Sequence, residues 1–331
     1  MKEISFIRTN IDKWKDAELV VEGDVDDSPD RLSDVYIDLT SDLAFAQSHF
    51  PNSRVVDYLN SLCAALHQRI YSTKRERWSR IITFWTREVP DCMYENRKLL
   101  LFSFCFFLLS VLIGVVSQLL DPDYCETILG PGYVNMTLEN IEKGKPVDVY
   151  SSDSEIFSFL GITLNNIKVS FLIFVSGILT SIATLYMLFY NSVMIGCLET
   201  LFFQHGCLVE SLLAVFLHGT LELSAIIIAA AAGLALGNSW LFPGTYSRIA
   251  SFRRGAKRGL KIIVGTVPIF IVAGFIESFL TRHTEIPDAL RLTIILLSLL
   301  FVIGYFVLLP IHRNHKKINN DLQSRSEDSL L

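Results

Sequence analysis

The sequence is poor in the features that stabilise small secreted proteins. Only six of its 331 residues are cysteine; Cys105 and Cys197 fall inside apolar runs, and only Cys125 falls in an acidic connection. We therefore expect no disulfide framework. Residues 1–28 lack an apolar core and are rich in Asp and Glu, so no cleavable signal peptide is expected. Residues 1–98 also contain no phosphate-binding glycine loop, nucleophile elbow or metal-spaced Cys/His cluster.

Apolar residues, by contrast, are abundant. They make up 51% of the chain, and the mean hydropathy is positive, which excludes an ordinary soluble globular protein and a disordered one. Residues 1–98 are polar with a helical pattern, whereas long apolar runs begin at Leu99. We predict an all-α polytopic helical membrane bundle over residues 99–310, preceded by a helical cytoplasmic region (1–98) and followed by a cytoplasmic tail (311–331).

Four membrane spans are clear from the apolar runs, and one central region is ambiguous. Asn191–Phe203 would give only roughly 20 Å of helix, which is too short for a comfortable crossing. Residues 191–236 are therefore expected to form a short or re-entrant piece followed by a full helix. The clear spans are predicted near residues 99–120, 169–190, 262–279 and 292–309.

The distribution of charge predicts the orientation of the bundle. Residues 121–168 contain eight acidic residues and three lysines, whereas residues 248–261 contain six cations and no acid. By the positive-inside rule, both ends of the chain and the basic loop at 248–261 are cytoplasmic, and residues 121–168 form a long extracytoplasmic loop with few signs of a compact core. We expect the basic loop to face anionic lipid or a cytoplasmic partner through Arg248, Arg253, Arg254, Lys257 and Arg258.

Aromatic residues alternate with arginines just before the first span. The segment Arg77–Trp85 is typical of a helix that lies at the membrane surface before the chain turns inward at Pro90. An amphipathic helix packed against its neighbours would show the same pattern, and both interpretations stay open. We take the interfacial helix as the end of the cytoplasmic region.

The most informative motif lies inside an apolar run, residues 211–236. His218 and Glu222 are four residues apart and share one helix face. Ionisable groups at this depth are costly, and their default interpretation is functional. Small residues continue the same face, so we expect it to meet another helix closely. The candidate polar motif is His218, Gly219, Glu222, Ala225 and Glu277, and the candidate helix-packing residues are Asn191, Gly196, Ala229, Gly233 and Gly237.

Three interpretations of these polar residues remain open. In the first, His218 and Glu222 hydrogen-bond to neighbouring helices and hold the bundle together. In the second, Glu199, Glu222 and Glu277 form a pathway for protons or a solute. In the third, His218 and Glu222 bind a metal; the third protein ligand that a catalytic metal usually needs would come from His205 or Glu210 through a fold-back of the chain.

With these motifs, the chain resembles the stage II sporulation protein M family of multi-pass membrane proteins. His218–Ile226 is similar to the family signature His-Gly-x-x-Glu-x-x-Ala-Ile, and Asn191–Gly196 is similar to its Asn-Gly-x-x-x-Gly. Ser192 stands where the family usually has glycine, so a role that needs a positive φ at this position is not expected here. Ile276–Thr281 resembles the family's glutamate-containing end of the next span. The resemblance is expected to extend over most of the chain, including Phe6 and Trp14.

The resemblance implies a function in the bacterial envelope. The member that gave the family its name is regarded as a membrane scaffold that acts with peptidoglycan hydrolases, and relatives often occur near MoxR-type ATPases. We therefore expect a non-enzymatic subunit or scaffold in the bacterial cytoplasmic (inner) membrane, with no cofactor, metal or nucleic-acid partner. The alternative is a transporter or permease component that uses Glu222 and His218 for proton or solute passage. A homo-oligomer also stays open.

Overall fold

The computed structural model describes residues 2–22, 29–71, 79–144, 155–281 and 286–328, and the regular structure in these ranges is helical. Three π-helical segments, Phe84–Glu88, Ile276–Thr281 and Gly304–Leu308, join consecutive α-helices or extend one. The α-helices are α1 (Glu3–Glu22), α2 (Pro29–His49), α3 (Arg54–Tyr71), α4 (Ser79–Thr83), α5 (Val89–Glu95), α6 (Arg97–Leu120), α7 (Tyr124–Leu129), α8 (Pro131–Glu142), α9 (Glu155–Ser176), α10 (Ser181–Gln204), α11 (Leu208–Leu241), α12 (Arg248–Phe275), α13 (Asp288–Ile303) and α14 (Leu309–Asp328).

The chain divides into two units, and the first is Met1–Arg80. Its described part contains α1, α2 and α3, whose apolar faces form one core around Trp14. The indole Nε1 of Trp14 donates to Asp42 Oδ2 at 2.8 Å, so the only polar atom of this buried side chain has a partner. The boundary falls at Arg80 and not at residue 98, because Val89 and Met93 of α5 pack into the core of the second unit.

The second unit, Ile81–Leu331, is the membrane bundle. Within the described residues, six helices are long and apolar enough to cross a membrane, which confirms the all-α polytopic fold. In α11, Ala225–Leu234 is an unbroken run of buried residues, while much of α6 is exposed. The central position of α11 follows from its small residues, which let its neighbours approach. The six spans are Arg97–Leu120, Ile156–Ser176, Ser181–Gln204, Leu208–Leu241, Arg248–Thr281 and Asp288–Asn319.

The predicted short or re-entrant piece at the start of residues 191–236 is wrong. Those residues are the second half of α10, a helix of 24 residues. The predicted span 169–190 runs across the turn Gly177–Thr180, where α9 ends and α10 begins. Thr180 caps α10, since its hydroxyl accepts from the amide of Ala183 at 3.2 Å. The turn was missed because its central residues, Ile178 and Leu179, are apolar.

Two predicted loops are helical. The connection 121–168 contains α7, α8 and the first half of α9, and Cys125 and Val134 pack against Cys197 of α10. The basic segment 248–261 is the first half of α12 because Ser247 caps it and no proline interrupts residues 248–261. Its last cation, Lys261, pairs with Glu88 at 2.6 Å. Lys, Arg and Ala are good helix formers, and charge alone did not distinguish a loop from a helix.

The two ends of the predicted membrane region also continue as helix. The tail predicted from residue 311 begins within α14, and Arg313 of this helix pairs with Asp91 at 3.3 Å. The predicted interfacial helix Arg77–Trp85 is described only from Ser79 onward, because residues 72–78 lie outside the described ranges. In the described part, Ile81 and Ile82 are exposed, and the backbone carbonyl of Trp85 accepts from Tyr305 Oη at 2.6 Å.

Candidate functional site

Residues from two spans form a largely buried polar cluster in the membrane bundle. His218 and Glu222 lie one turn apart on α11, and Glu277 lies in the π-helical segment that extends α12. One potential ligand atom from each residue lies within 4.8 Å of those of the other two. The His218 Nε2 atom is 3.9 Å from Glu277 Oε1, and the Glu277 side chain is only 6% exposed. The cluster brings two carboxylates and one imidazole together.

Two hydrogen bonds hold the cluster from outside. The amide nitrogen of Asn166, on α9, donates to Glu222 Oε1. The hydroxyl of Thr281 lies 3.4 Å from His218 Nδ1 and also donates to the carbonyl oxygen of Ile276 at 3.3 Å. If Thr281 donates its single hydroxyl proton to that carbonyl, only a His218 protonated on Nδ1 can donate to Thr281. The lone pair of that tautomer lies on Nε2, the atom that faces Glu277.

The cluster lies toward one end of the bundle. Glu277 and Thr281 are in the last described turns of the Arg248–Thr281 span, at the opposite end from its basic residues. Burial raises the pKa of Tyr133 of α8, and negative charge on Cys125, Glu277 and Glu199 raises it further. The connection between the first two spans therefore lies near this end of the bundle.

The metal interpretation needed His205 or Glu210 to fold back onto His218 and Glu222, and the structure does not show this. Glu210 is exposed, and His205, at the end of α10, contacts the carbonyl oxygen of Leu201 at 2.8 Å. Glu277, a residue of the candidate polar motif, lies beside His218 and Glu222 instead. Glu199, a predicted member of a relay, is outside the cluster and accepts from Ser211 at 3.0 Å.

Two members of the site, Asn166 and Thr281, escaped the sequence analysis. Asn166 belongs to an Asn-Asn pair in the described helix α9, and amides inside an apolar span could have marked it as a partner for a buried acid. Thr281 had no distinctive signal, because threonine is common near the ends of membrane helices. Both became identifiable only from the packing of α9 and α12 against α11.

The candidate packing residues lie at close helix contacts, with one exception. Ala225 and Ala229 are fully buried. A Cβ atom on Gly233 would lie 2.8 Å from the carbonyl oxygen of Ile173, one on Gly237 would lie 2.8 Å from the amide nitrogen of Ser181, and one on Gly196 would overlap the carbonyl oxygen of Val111. The exception is Asn191, whose amide donates to Met187 of its own helix at 2.8 Å.

Two positions of the sequence motifs, residues 219 and 192, do not require glycine in this structure. Gly219 lies between His218 and Glu222, yet a Cβ atom there would meet only ordinary contacts, the nearest at 3.8 Å from Val215. Ser192, at the position where glycine is usual, is inside α10 and needs no positive φ. Its buried hydroxyl donates to the carbonyl oxygen of Leu188 at 2.6 Å.

The basic residues of α12 form a separate surface. A pocket of about 370 Å³ is lined by Tyr246, Ser251, Arg254, Lys257, Arg258 and Lys261. The guanidinium of Arg254 lies 4.0 Å from the ring centre of Tyr246, which fixes its direction. Arg258 pairs with Glu95 at 3.0 Å, and Arg248 lies 6.0 Å from the ring centre of Trp240. Arg253 is exposed.

Comparison with known protein families identifies the bundle. The family model of stage II sporulation protein M matches residues 103–282, slightly more than half of the chain. The chain belongs to the stage II sporulation protein M family. The matched region contains all five residues of the site, from Asn166 to Thr281. The protein is therefore a multi-pass membrane protein of that family.

The amino-terminal unit matches a different family model. Residues 4–72 match a domain of unknown function, DUF8413, and this range corresponds to α1–α3. The stage II sporulation protein M model does not include Phe6 or Trp14, so the expected extension of that resemblance to the start of the chain is corrected. No curated protein and no solved structure matches the chain.

Proposed function

We propose that this member of the stage II sporulation protein M family is a non-enzymatic membrane subunit that scaffolds an envelope-associated complex. The observation that carries the proposal is the close backbone packing inside the bundle. A Cβ atom on Gly177, after α9, would overlap the carbonyl oxygen of Gly233 in α11, and one on Gly196 in α10 would overlap that of Val111 in α6. Packed helices of this kind are not continuously deformable. A bundle with so little space between its helices suits a platform on which partner proteins dock.

Three surfaces are available for partners under this proposal. The exposed apolar side chains of α6 and α13 suit bilayer lipid or the membrane helix of a partner. The basic residues of α12 suit anionic lipid headgroups or an acidic partner. The amino-terminal unit adds a separately packed helical surface. Candidate partners are peptidoglycan-remodelling enzymes and a MoxR-type ATPase, which the family resemblance implies.

The proposed setting is the bacterial cytoplasmic membrane, with both ends of the chain in the cytoplasm. The support is the positive-inside rule applied to the basic half of α12 and to the acidic connection after α6. Six crossings return the chain to its starting side, which agrees with basic residues before the first span and after the last.

The first test is purification from native membranes after crosslinking, followed by mass spectrometry. We expect stable enrichment of envelope enzymes or of an ATPase with the full chain. A variant in which Arg253, Arg254 and Lys257 are replaced by Gln tests whether the basic surface holds any of them. A homo-oligomer that carries no companions would contradict the scaffold.

A second candidate function is passage of protons or cations, and the polar cluster favours it. His218, Glu222 and Glu277 come from two spans and form a group that can exchange a proton or bind a cation. Flux in proteoliposomes that is present in the wild type and lost in Glu222→Gln would support passage. Under the scaffold proposal, the same variant keeps its companions, since glutamine can still accept the hydrogen bond from Asn166.

A further inference from the structure

We propose that His218, Glu222 and Glu277 bind one divalent transition-metal ion, with Zn²⁺ as its test probe. The ligands are Nε2 of His218 and one carboxylate oxygen from each glutamate. This inference goes beyond the scaffold function, because a scaffold needs no metal. The site joins α11 to the end of α12, so the ion would fasten two of the most buried spans to each other.

The residue types and their spacing fit such an ion. An imidazole with two carboxylates is a ligand set that zinc accepts, and three protein ligands leave a fourth position for water. The imidazole favours a transition metal over Ca²⁺ or Mg²⁺, which prefer oxygen ligands. His218 and Glu222 project from the same face of α11 at one-turn spacing, and Glu277 approaches from another helix. Such a site therefore forms only in the folded bundle.

The three ligand atoms are slightly farther apart than they would be around one bound ion. Ligands about 2.1 Å from a tetrahedral ion are roughly 3.4 Å apart. The three ligand atoms lie within 4.8 Å of one another, and His218 Nε2 is 3.9 Å from Glu277 Oε1. Coordination of one ion would bring His218 Nε2 and Glu277 Oε1 closer together by roughly 0.5 Å.

The orientation of His218 is the strongest argument. Its Nδ1 atom lies 3.4 Å from the hydroxyl of Thr281, which also lies 3.3 Å from the carbonyl oxygen of Ile276. With the ring proton on Nδ1, the lone pair on Nε2 faces a carboxylate oxygen of Glu277 at 3.9 Å, and a cation between the two atoms removes their repulsion. A metal-binding histidine usually donates its other ring proton in this way, and the outer hydrogen bond fixes the tautomer.

An outer contact also orients Glu222. The amide of Asn166 donates to one of its carboxylate oxygens, as expected for a metal-binding carboxylate that a second layer of residues holds in place.

The test measures metal bound by the full chain in mild detergent. The protein is stripped with a chelator, loaded with Zn²⁺, desalted and analysed by elemental mass spectrometry. We expect one zinc per wild-type chain and at least a tenfold lower affinity in Glu222→Gln and Glu277→Gln. Glu199→Gln, which changes a buried glutamate outside the cluster, is the matched control and should retain the metal. No retained zinc in the wild type, or equal zinc in all four proteins, overturns the proposal.

A second measurement distinguishes the loss of a metal ligand from the loss of the fold. Cobalt(II) is loaded into His218→Cys and, as a control, into His205→Cys. A thiolate-to-cobalt charge-transfer band in the first protein and its absence in the second would show that residue 218 is a ligand. No band in a folded, monodisperse His218→Cys protein would contradict the proposal.

The outer residues give a graded result. Thr281→Val removes the hydroxyl that orients His218, and we expect a loss of about 10–100-fold in zinc affinity. Thr281→Ser keeps the hydroxyl and should bind zinc almost as the wild type does. Equal affinities of the valine and serine variants would show that the hydroxyl does not position His218 for a metal.

Discussion

At the scale of single residues, Trp14 is the side chain on which the amino-terminal unit depends most. It is 1% exposed, packs against Phe6 with ring centres 5.5 Å apart, and donates to Asp42. Trp14→Phe leaves a cavity and removes the donor to Asp42. We expect a loss of about 1–3 kcal/mol in the free energy of unfolding of this unit. Proteolytic susceptibility in increasing urea would measure it.

The matched control for Trp14 is its neighbour Lys13, which pairs with the same carboxylate at 2.6 Å from a partly exposed position. Lys13→Ala removes that ion pair but keeps the indole. The loss should be below about 1 kcal/mol, because exposed ion pairs contribute little. Equal losses in the two variants would mean that the carboxylate, and not the packing of the indole, determines stability here.

At the scale of helices, α11 is held by small residues at some positions and has free space at others. Gly233→Ala would place a methyl group 2.8 Å from the carbonyl oxygen of Ile173. Backbone cannot easily yield, so we expect destabilisation of about 1–3 kcal/mol and a lower Tm in detergent. In Gly219→Ala, on the same helix, the methyl group has room, and the higher helix propensity of alanine should leave the Tm unchanged or raise it. A loss of equal size at both positions would contradict this account of the packing.

The helices also show where a sequence stops being informative. The apolar run 211–236 and its buried small-residue face were predictable because both are local patterns, and α11 contains them. The turn at Gly177–Thr180 was not, since apolar residues fill it and the capping threonine resembles any other threonine. In the site, His218 and Glu222 form a pair within one helix. Their meeting with Glu277 depends on long-range packing that no spacing in the sequence encodes.

At the scale of the whole molecule, the six spans make a prediction about sidedness. The turn after α9 and the turn before α11 lie at opposite ends of α10. In vesicles of known orientation, a membrane-impermeant maleimide should label Leu179→Cys from the side that carries the chain termini, and native Cys207 from the other side. Each cysteine is tested in a background that lacks the other and lacks exposed Cys105. Labelling of both from one side would mean that α10 does not cross.

The last span is longer than a bilayer needs. It covers 32 residues, roughly 48 Å of helix, against a hydrocarbon core of about 30 Å. Where it leaves the core, Tyr305 is bonded to the backbone of Trp85, and Arg313 is paired with Asp91. These contacts hold the second half of the last span against the segment before the first span, so the beginning and the end of the bundle are held to each other.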